Sequence, residues 1–338
     1  MKKSRLQNFM KDYLMLFVLI ALIVIFSVLG PVIAGRSFFN LKNLLTMLNQ
    51  NAYLIIIGVG ITFIMLGGGM DLSTGYLLST VGMLMVIAMK NWSLSWIIAV
   101  VIGIAAGFII SAFNGAVYAW LRVFPFIITL GTQYILNGVT YLLTGGTSLT
   151  FNVDGVFKAI GGTNIRIFDG SLKTGVIVMI VMVAIGSFIL NKTYFGRNIY
   201  AMGSNPDAVE LSGVSVSKMR FLIFAVAGLF FAVAILCQIG SQGAMNQSTG
   251  VGAEFTVMAG AMLGGIKMGG GGGKMSNMVI GVLIIGVLDY GMTFLNINQY
   301  WKDVVLGIAL LAAIAVDTLQ TRAAIKAAKK VTGQAPAA

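Results

Sequence analysis

The chain has 338 residues, of which 58% are hydrophobic and only 9% are charged, and its net charge is +12. Soluble domains carry roughly 25% charged residues, so this composition excludes an ordinary soluble protein and indicates a polytopic membrane protein. The basic residues lie at the edges of apolar runs rather than along one stripe, which argues against a nucleic-acid partner. There is no histidine, and the single cysteine, Cys237, lies inside an apolar run. We therefore expect neither a disulfide within the chain nor a metal site.

The apolar runs predict an all-α membrane bundle of about ten transmembrane helices, because crossing the hydrocarbon takes about 20 helical residues. The first run is expected to be an uncleaved span rather than a signal peptide. The second and eighth runs are short and end in glycine clusters, so we expect them to be broken, tilted or only partly crossing, and an eight-span count stays open. The predicted spans are 13–34, 51–67, 71–89, 94–121, 125–143, 173–191, 219–240, 253–266, 276–295 and 302–320.

The distribution of lysine and arginine predicts the orientation of this single transmembrane domain, which spans residues 1–338. With the N-terminus inside, most basic residues fall in inner segments, as the positive-inside rule requires. Both termini, the polar loop 192–218 and a tail at 321–338 are then cytoplasmic. The loop 144–172 lies outside and is either a gate or docking lip for a delivery protein, or a plain connection.

Asp71 is the most conspicuous single residue, because it follows Gly67, Gly68 and Gly69 where the second run ends. A carboxylate inside a bilayer costs on the order of 3 kcal/mol and needs N–H donors, a cation or water. One interpretation is a broken helix that lines a transport pathway. The other, slightly favoured by the residues Asp-Leu-Ser-Thr, is that Asp71 N-caps the third span at the cytoplasmic interface. The two interpretations are compatible.

A polar stripe runs along the fifth span. Thr129, Gln133 and Asn137 recur every four residues, and Thr140 follows, so they share one helix face that should point away from lipid. Hydroxyl and amide groups suit a passing polyol, although hydrogen bonds between helices would explain the same stripe. Phe126, one turn before Thr129, either stacks on a sugar ring or simply packs.

The fourth span repeats small residues at Gly103, Gly107, Ser111 and Gly115, which predicts a close helix–helix contact. Asn114 lies beside this seam and is a candidate for the pathway.

Two further polar positions lie on the later spans. Glu254 opens the eighth helix and is a weaker pathway candidate, and Asp289, Thr293 and Asn296 form a polar face near the outer end of the ninth.

The glycine run Gly269–Gly273 followed by Lys274 resembles a phosphate-binding loop only superficially. That motif needs glycine at position 268 and serine or threonine at 275, and both positions are methionine. We interpret the run as a flexible inner loop. No catalytic constellation is present either, so any energy source must be a separate protein.

The loop between the sixth and seventh spans contains a short helix with both ends marked. It is too short to be stable alone, so it either docks on a partner protein or is an ordinary capped loop helix. The marks are an N-cap at Asn205, proline at the first helical position in Pro206, negative charge at Asp207 and Glu210, and a left-handed stop at Gly213.

Three separated motifs, which together span nearly the whole chain, resemble the permeases of ribose/xylose/galactose-type ABC sugar importers. The loop carries Phe195-Gly196-Arg197, Tyr200–Gly203, Asn205, Ala208 and Leu211–Val214. The segment Gly68–Gly75 is similar to the family's Gly-Gly-Ile-Asp-Leu-Ser-Val-Gly, with departures at Met70 and Thr74, and Glu254–Gly265 is similar to its C-terminal half.

The resemblance implies a function, partners and a location. The chain would be the membrane subunit of a bacterial importer for a monosaccharide or related polyol, multi-pass in the cytoplasmic membrane. Its partners would be an identical or similar permease, a two-cassette ATPase that binds ATP and magnesium, and a periplasmic or surface-tethered sugar-binding protein; no cofactor is expected in this chain. The coupling residues would be Gly203, Asn205, Pro206, Asp207, Ala208, Glu210, Leu211 and Gly213. An ion-coupled secondary transporter and a passive polyol channel are the alternatives.

Overall fold

A computed structural model describes residues 2–151 and 155–332, and this part of the chain is almost entirely helical. Two short π-helical turns, Gly30–Ala34 and Lys158–Gly162, and four very short strands complete it. The helices are α1 Lys2–Leu29, α2 Leu41–Leu66, α3 Thr74–Lys90, α4 Trp96–Leu121, α5 Pro125–Thr144, α6 Gly155–Phe157, α7 Thr174–Lys192, α8 Tyr194–Ser204, α9 Pro206–Leu211, α10 Val216–Gln242, α11 Ala253–Leu263, α12 Met275–Phe294 and α13 Gln299–Thr332.

Seven helices in the described residues are long and apolar enough to cross a membrane, namely α1 with its π turn, α2, α4, α5, α7, α10 and α12. The apolar helices α3 and α11 are shorter. The predicted helical membrane bundle is thus confirmed, and the count of about ten crossings stays a prediction. The predicted tail at 321–338 continues α13 as far as Thr332, and residues 333–338 lie outside the described residues.

One predicted span is wrong in its length. The second span was expected to begin at residue 51 and to be short, but α2 begins at Leu41 and runs unbroken for 26 residues. Asn40 caps it, its Oδ1 accepting from the Asn43 N–H at 2.7 Å. The polar run Asn49–Asn51 lies inside the helix, because these side chains face a cavity rather than the membrane boundary. The expected short eighth span is observed: α11 has 11 residues.

The bundle is centred on α2 and α10, whose middle segments are buried. The small-residue seam of α4 packs against α10 as expected: a Cβ on Gly107 would lie 3.1 Å from the Cβ of Ala232, and one on Gly228 would lie 2.7 Å from the Cβ of Ser111. Gly103 faces Met85 of α3 instead. Small residues here let the helix backbones approach closely.

The helices α11 and α12 meet backbone to backbone. A Cβ on Gly260 would lie 2.7 Å from the Cα of Val282, and a Cβ on Gly281 would overlap the Gly260 carbonyl oxygen. A Cβ on Gly264 would overlap the Asn277 carbonyl oxygen. Side chains at these positions would force the two helices apart.

The two ends of the bundle differ in structure. At one end, called here the α9 end, lie α8, α9, the Gly67–Gly69 turn after α2 and the glycine run Gly269–Gly273. At the opposite end, the loop after α5 forms β1 Leu149–Thr150, which pairs antiparallel with β4 Ala244–Met245. The hairpin of β2 Asn164–Ile167 and β3 Gly170–Lys173 lies at the same end, next to the start of α2.

Candidate functional site: a docked surface helix, a buried polar cluster and a polar cavity

The predicted short helix is α9, and its capping is confirmed. The Asn205 Oδ1 accepts from the Ala208 N–H at 3.0 Å, and Pro206 occupies the first helical position. Gly213 has a φ of 87°, which is the left-handed conformation expected after the helix. The helix has only six residues, and the backbone of Val214 closes it by donating to the Val209 carbonyl.

A second helix, α8, precedes α9 and was missed in the sequence. Its N-cap is Thr193, whose Oγ1 accepts from the Gly196 N–H at 3.1 Å. Position 196 has room only for glycine, because a Cβ there would overlap the carbonyl oxygens of Ile189 and Leu190. The signal that could have found α8 is this threonine cap three residues before the close-packed glycine.

α8 docks on the bundle through backbone atoms. A Cβ on Gly203 would overlap the Leu66 carbonyl oxygen and the Gly271 nitrogen, and Gly271 N–H donates to that same carbonyl at 2.8 Å. The Tyr200 hydroxyl donates to the Gly273 carbonyl at 3.1 Å, and burial in this contact raises the pKa of Tyr200, which keeps the hydroxyl protonated.

The glycine run is thus part of a packed joint. The Lys267 N–H donates to the Gly272 carbonyl at 2.9 Å, which folds the run into a closed turn against α8. Gly270 and Gly271 allow close backbone approach to α8, and the expected flexibility of the run stays a prediction.

α9 presents most of its surface to solvent. Val209 is 6% exposed and fixes the helix to the protein, whereas Leu211 is 90% exposed at its end. Asp207 and Glu210 are also exposed. The exposed part of α9 thus offers one large apolar side chain and two carboxylates.

Asp71 lies in a buried polar cluster that joins α3, α4 and α5. Its Oδ1 accepts from the Ser73 N–H at 2.8 Å and from the Ser73 hydroxyl at 2.6 Å. The Asn114 amide donates to the Ser73 oxygen at 3.0 Å, and the Thr132 hydroxyl donates to the Asn114 carbonyl oxygen at 2.6 Å. The interpretation of Asp71 as the N-cap is wrong, since α3 begins at Thr74 with Ser73 in the cap position. Residues 67–73 are a non-helical connection between α2 and α3, and the interpretation of a broken helix that lines a transport pathway stays a prediction.

Only some residues of the polar stripe on the fifth span make hydrogen bonds to other segments. Thr129 accepts from the Leu72 N–H at 3.1 Å, and Thr140 shares a 2.6 Å hydrogen bond with Thr80. Gln133 is half-buried, and its Oε1 has no partner within the described residues.

Asn137 is half-buried and Phe126 is exposed, and neither belongs to the Asp71 cluster. Thr132, which does belong to it, was missed because it lies beside the repeat rather than on it.

Glu254 is buried at the start of α11, against the N-terminal turn of α3. A Cβ on Gly75 would overlap its carboxylate. One carboxylate oxygen of Glu254 and one of Asp71 lack hydrogen-bond partners among the residues described. The non-helical segment before α3 and the loop before α11 thus bring two acidic side chains toward the N-terminus of α3.

A polar cavity of about 930 Å³ opens at the end of the bundle opposite α9. Its walls are the first half of α2, the ends of α10 and α12, the loop before α11 and the first half of α13. None of the seven predicted pathway residues lines it. The cavity was not predicted from the sequence, except that the predicted polar face at Asp289 and Thr293 forms part of its wall. The remaining signal was the run Asn49–Asn51, which lines the cavity over a full helical turn.

Residues 43–314 match the family described as "branched-chain amino acid transport system / permease component". The chain belongs to this family. The matched segment begins in the first turn of α2 and ends within α13, so it includes the docked helices, the polar cluster and the cavity.

The relatives found cover almost the whole chain. It is 31% identical over 342 residues to the galactose/methyl galactoside import permease MglC of Escherichia coli K12, covering 94% of this chain and 97% of the relative. It is 32% identical to the ribose import permease RbsC of the same strain, covering 91% and 95%. It is 28% identical to the fructose import permease FrcC of Rhizobium meliloti, covering 93% and 88%. No solved structure matches the chain.

Proposed function

We propose that this chain is the membrane permease of a bacterial ABC importer for a monosaccharide. The observation that carries the proposal is that relatives named for galactose, ribose and fructose import each align over about nine-tenths of the chain or more. The polar cavity at one end and the docked helix pair at the other fit a protein that receives a solute on one side and a mechanical input on the other.

We propose that the mechanical input acts on α9. A two-cassette ATPase, which binds ATP and magnesium, docks on the exposed residues Asn205, Pro206, Asp207, Ala208, Glu210 and Leu211. Gly203 and Gly213 act differently: Gly203 lets α8 touch the end of α2, and Gly213 ends α9. A displacement of α9 would therefore be transmitted through α8 to Leu66 at the end of α2.

The orientation and assembly follow from the same proposal. The α9 end and both termini face the cytoplasm, in agreement with the basic residues, and the cavity opens outward toward a sugar-binding protein. The permease is a homodimer or pairs with a similar permease in the cytoplasmic membrane.

The inner part of the pathway is proposed to include Asp71, Asn114, Phe126, Thr129, Gln133, Asn137 and Glu254. Support comes from the two buried carboxylates and from the unpartnered Gln133 oxygen in an otherwise apolar bundle, because such groups are costly unless they serve a passing solute or water.

Reconstitution of the complete importer tests the function. The chain is placed in proteoliposomes with the co-encoded ATPase and binding protein, and uptake of radiolabelled D-galactose, D-ribose and D-fructose is measured with and without ATP. We expect ATP-dependent uptake of at least one sugar, abolished by a hydrolysis-deficient ATPase and unaffected by a protonophore. Uptake that needs the proton gradient, or that proceeds without ATP from this chain alone, would overturn the proposal.

A further inference from the structure

The helix α13 is longer than one membrane crossing requires. It has 34 residues, which is about 51 Å at 1.5 Å per residue, whereas the hydrocarbon core is about 30 Å thick. Its first half lines the cavity, so its C-terminal part lies toward the α9 end. The predicted span 302–320 takes up the first part of α13, and the helix continues beyond that span as far as Thr332.

One face of the first part of α13 is apolar and exposed. Val304, Ile308 and Leu311 are 48%, 60% and 69% exposed, and they recur at the helical period of about 3.6 residues. Ala315 and Leu319 continue the same face and are exposed too. Within the predicted span, an exposed apolar face of this kind suits lipid chains rather than water.

The basic residues beyond the predicted span continue this same face. Residues 318–338 contain four basic residues and no acidic residue. At about 100° per residue, the four fall within an arc of about 100° that includes the direction of Val304. The helix therefore changes from apolar to basic along a single face, at the point where the predicted span ends. The four residues are Arg322, Lys326, Lys329 and Lys330.

The basic residues at the other terminus lack this order. Lys2, Lys3, Arg5 and Lys11 also lie beside an apolar run, but at about 100° per residue they are spread around the whole circumference of α1. They satisfy the positive-inside rule, which depends on the number of basic residues and not on the helix face. The single basic face of α13 goes beyond that rule and indicates a ligand on one side of the helix.

We propose that residues 321–332 of α13 form a binding site for the headgroups of anionic phospholipids at the edge of the bundle. Four basic residues directly after a membrane helix suit such headgroups, because an anionic surface favours each of them about fivefold. Their long side chains can keep the methylene groups near the acyl chains while the charge reaches the phosphates. Lipid fits better than the ATPase as the partner, because the basic residues continue the exposed apolar face of the span. This contact is independent of the sugar that the permease carries.

A fluorophore attached to the full-length permease reports which lipid lies beside this segment. Ala323→Cys supplies the thiol for labelling, since Cys237, the single native cysteine, is buried. The labelled permease is placed in nanodiscs that contain spin-labelled phosphatidylglycerol or spin-labelled phosphatidylcholine at equal mole fraction, and the quenching by each lipid is measured.

Two variants separate the charge from its position. The first replaces all four basic residues of the face by glutamine. The second keeps the charge and composition but moves the basic residues to the opposite face, by exchanging Arg322 with Ala324, Lys326 with Ala327, Lys329 with Ala328 and Lys330 with Val331. Both variants change only residues beyond the predicted span, so the bundle itself is left intact.

We expect phosphatidylglycerol to be enriched over phosphatidylcholine at the label by about fivefold or more. Both variants should lose most of this enrichment, and so should the unmodified face in 1 M salt, where the Debye length is only about 3 Å. Equal quenching by the two lipids, or unchanged enrichment in the charge-matched variant, would overturn the lipid site. Shielding of the label by added ATPase or by a second permease in discs of phosphatidylcholine alone, without any enrichment of phosphatidylglycerol, would assign the segment to a protein interface and overturn the site as well.

Discussion

Truncation of Leu211 separates docking from folding with a single substitution. The side chain is 90% exposed at the end of α9, so Leu211→Ala removes almost no contact within the permease. The free energy of unfolding should change by no more than about 0.5 kcal/mol, as for most surface substitutions. If the ATPase buries this side chain, the lost apolar contact costs about 2 kcal/mol, which weakens the dissociation constant roughly 30-fold.

The assay is binding of the co-encoded ATPase to the permease in lipid nanodiscs, with ATP-driven sugar uptake as the second readout. Phe168→Ala is the control, because Phe168 is 87% exposed in the β2–β3 turn at the opposite end of the bundle. We expect Phe168→Ala to leave the ATPase affinity unchanged. Equal affinity in Leu211→Ala and the unmodified permease would show that α9 is not the docking surface, and equal weakening in both variants would show a nonspecific effect.

Three further substitutions test the packing of α8, the cap of α9 and the contact of α3 with Glu254. Gly203→Ala forces a Cβ into the Leu66 carbonyl, so uptake should fall and the melting temperature should drop with a cost of about 1–3 kcal/mol; unchanged uptake would remove the α8 joint from the coupling route. Asn205→Ala deletes the cap of α9. The free energy of opening of its first turn should fall by about 1 kcal/mol, so amide hydrogen exchange there should become faster while the global stability stays unchanged. Unaltered exchange would show that the cap has no role. Gly75→Ala displaces the Glu254 carboxylate and should lower thermal stability, and adding Glu254→Ala should restore part of the loss; purely additive losses would disprove that contact.

Much of the architecture follows from local rules that the sequence displays. The apolar runs predict the helices because a lipid-exposed backbone must satisfy its own hydrogen bonds. The cap at Asn205 and the stop at Gly213 are local signals, so α9 was predictable to within about one residue. The seam of α4 was predictable for the same reason, since its repeat matches the helical period.

The errors arose where distant segments decide the role of a residue. The second span was predicted to begin at residue 51, but α2 also includes Asn49 and Gln50, whose side chains face a polar cavity formed with α10, α12 and α13. Gly269–Gly273 indicated only a flexible loop, but α8 and the turn after α2 approach the run so closely that a Cβ on Gly270 would lie 2.8 Å from both the Gly203 Cα and the Gly68 nitrogen. None of these partners is visible in the local pattern.

The close contact between α11 and α12 has a mechanical consequence. No layer of side chains separates Gly260 from Gly281, so there is nothing between these helices that can be compressed or can change rotamer. We therefore expect the two helices to move together as one rigid pair. At one end of this pair of helices, the glycine run packs against α8. At the other end, α12 forms a wall of the cavity. We therefore expect a displacement of the glycine run to be transmitted through this pair of helices to the cavity wall.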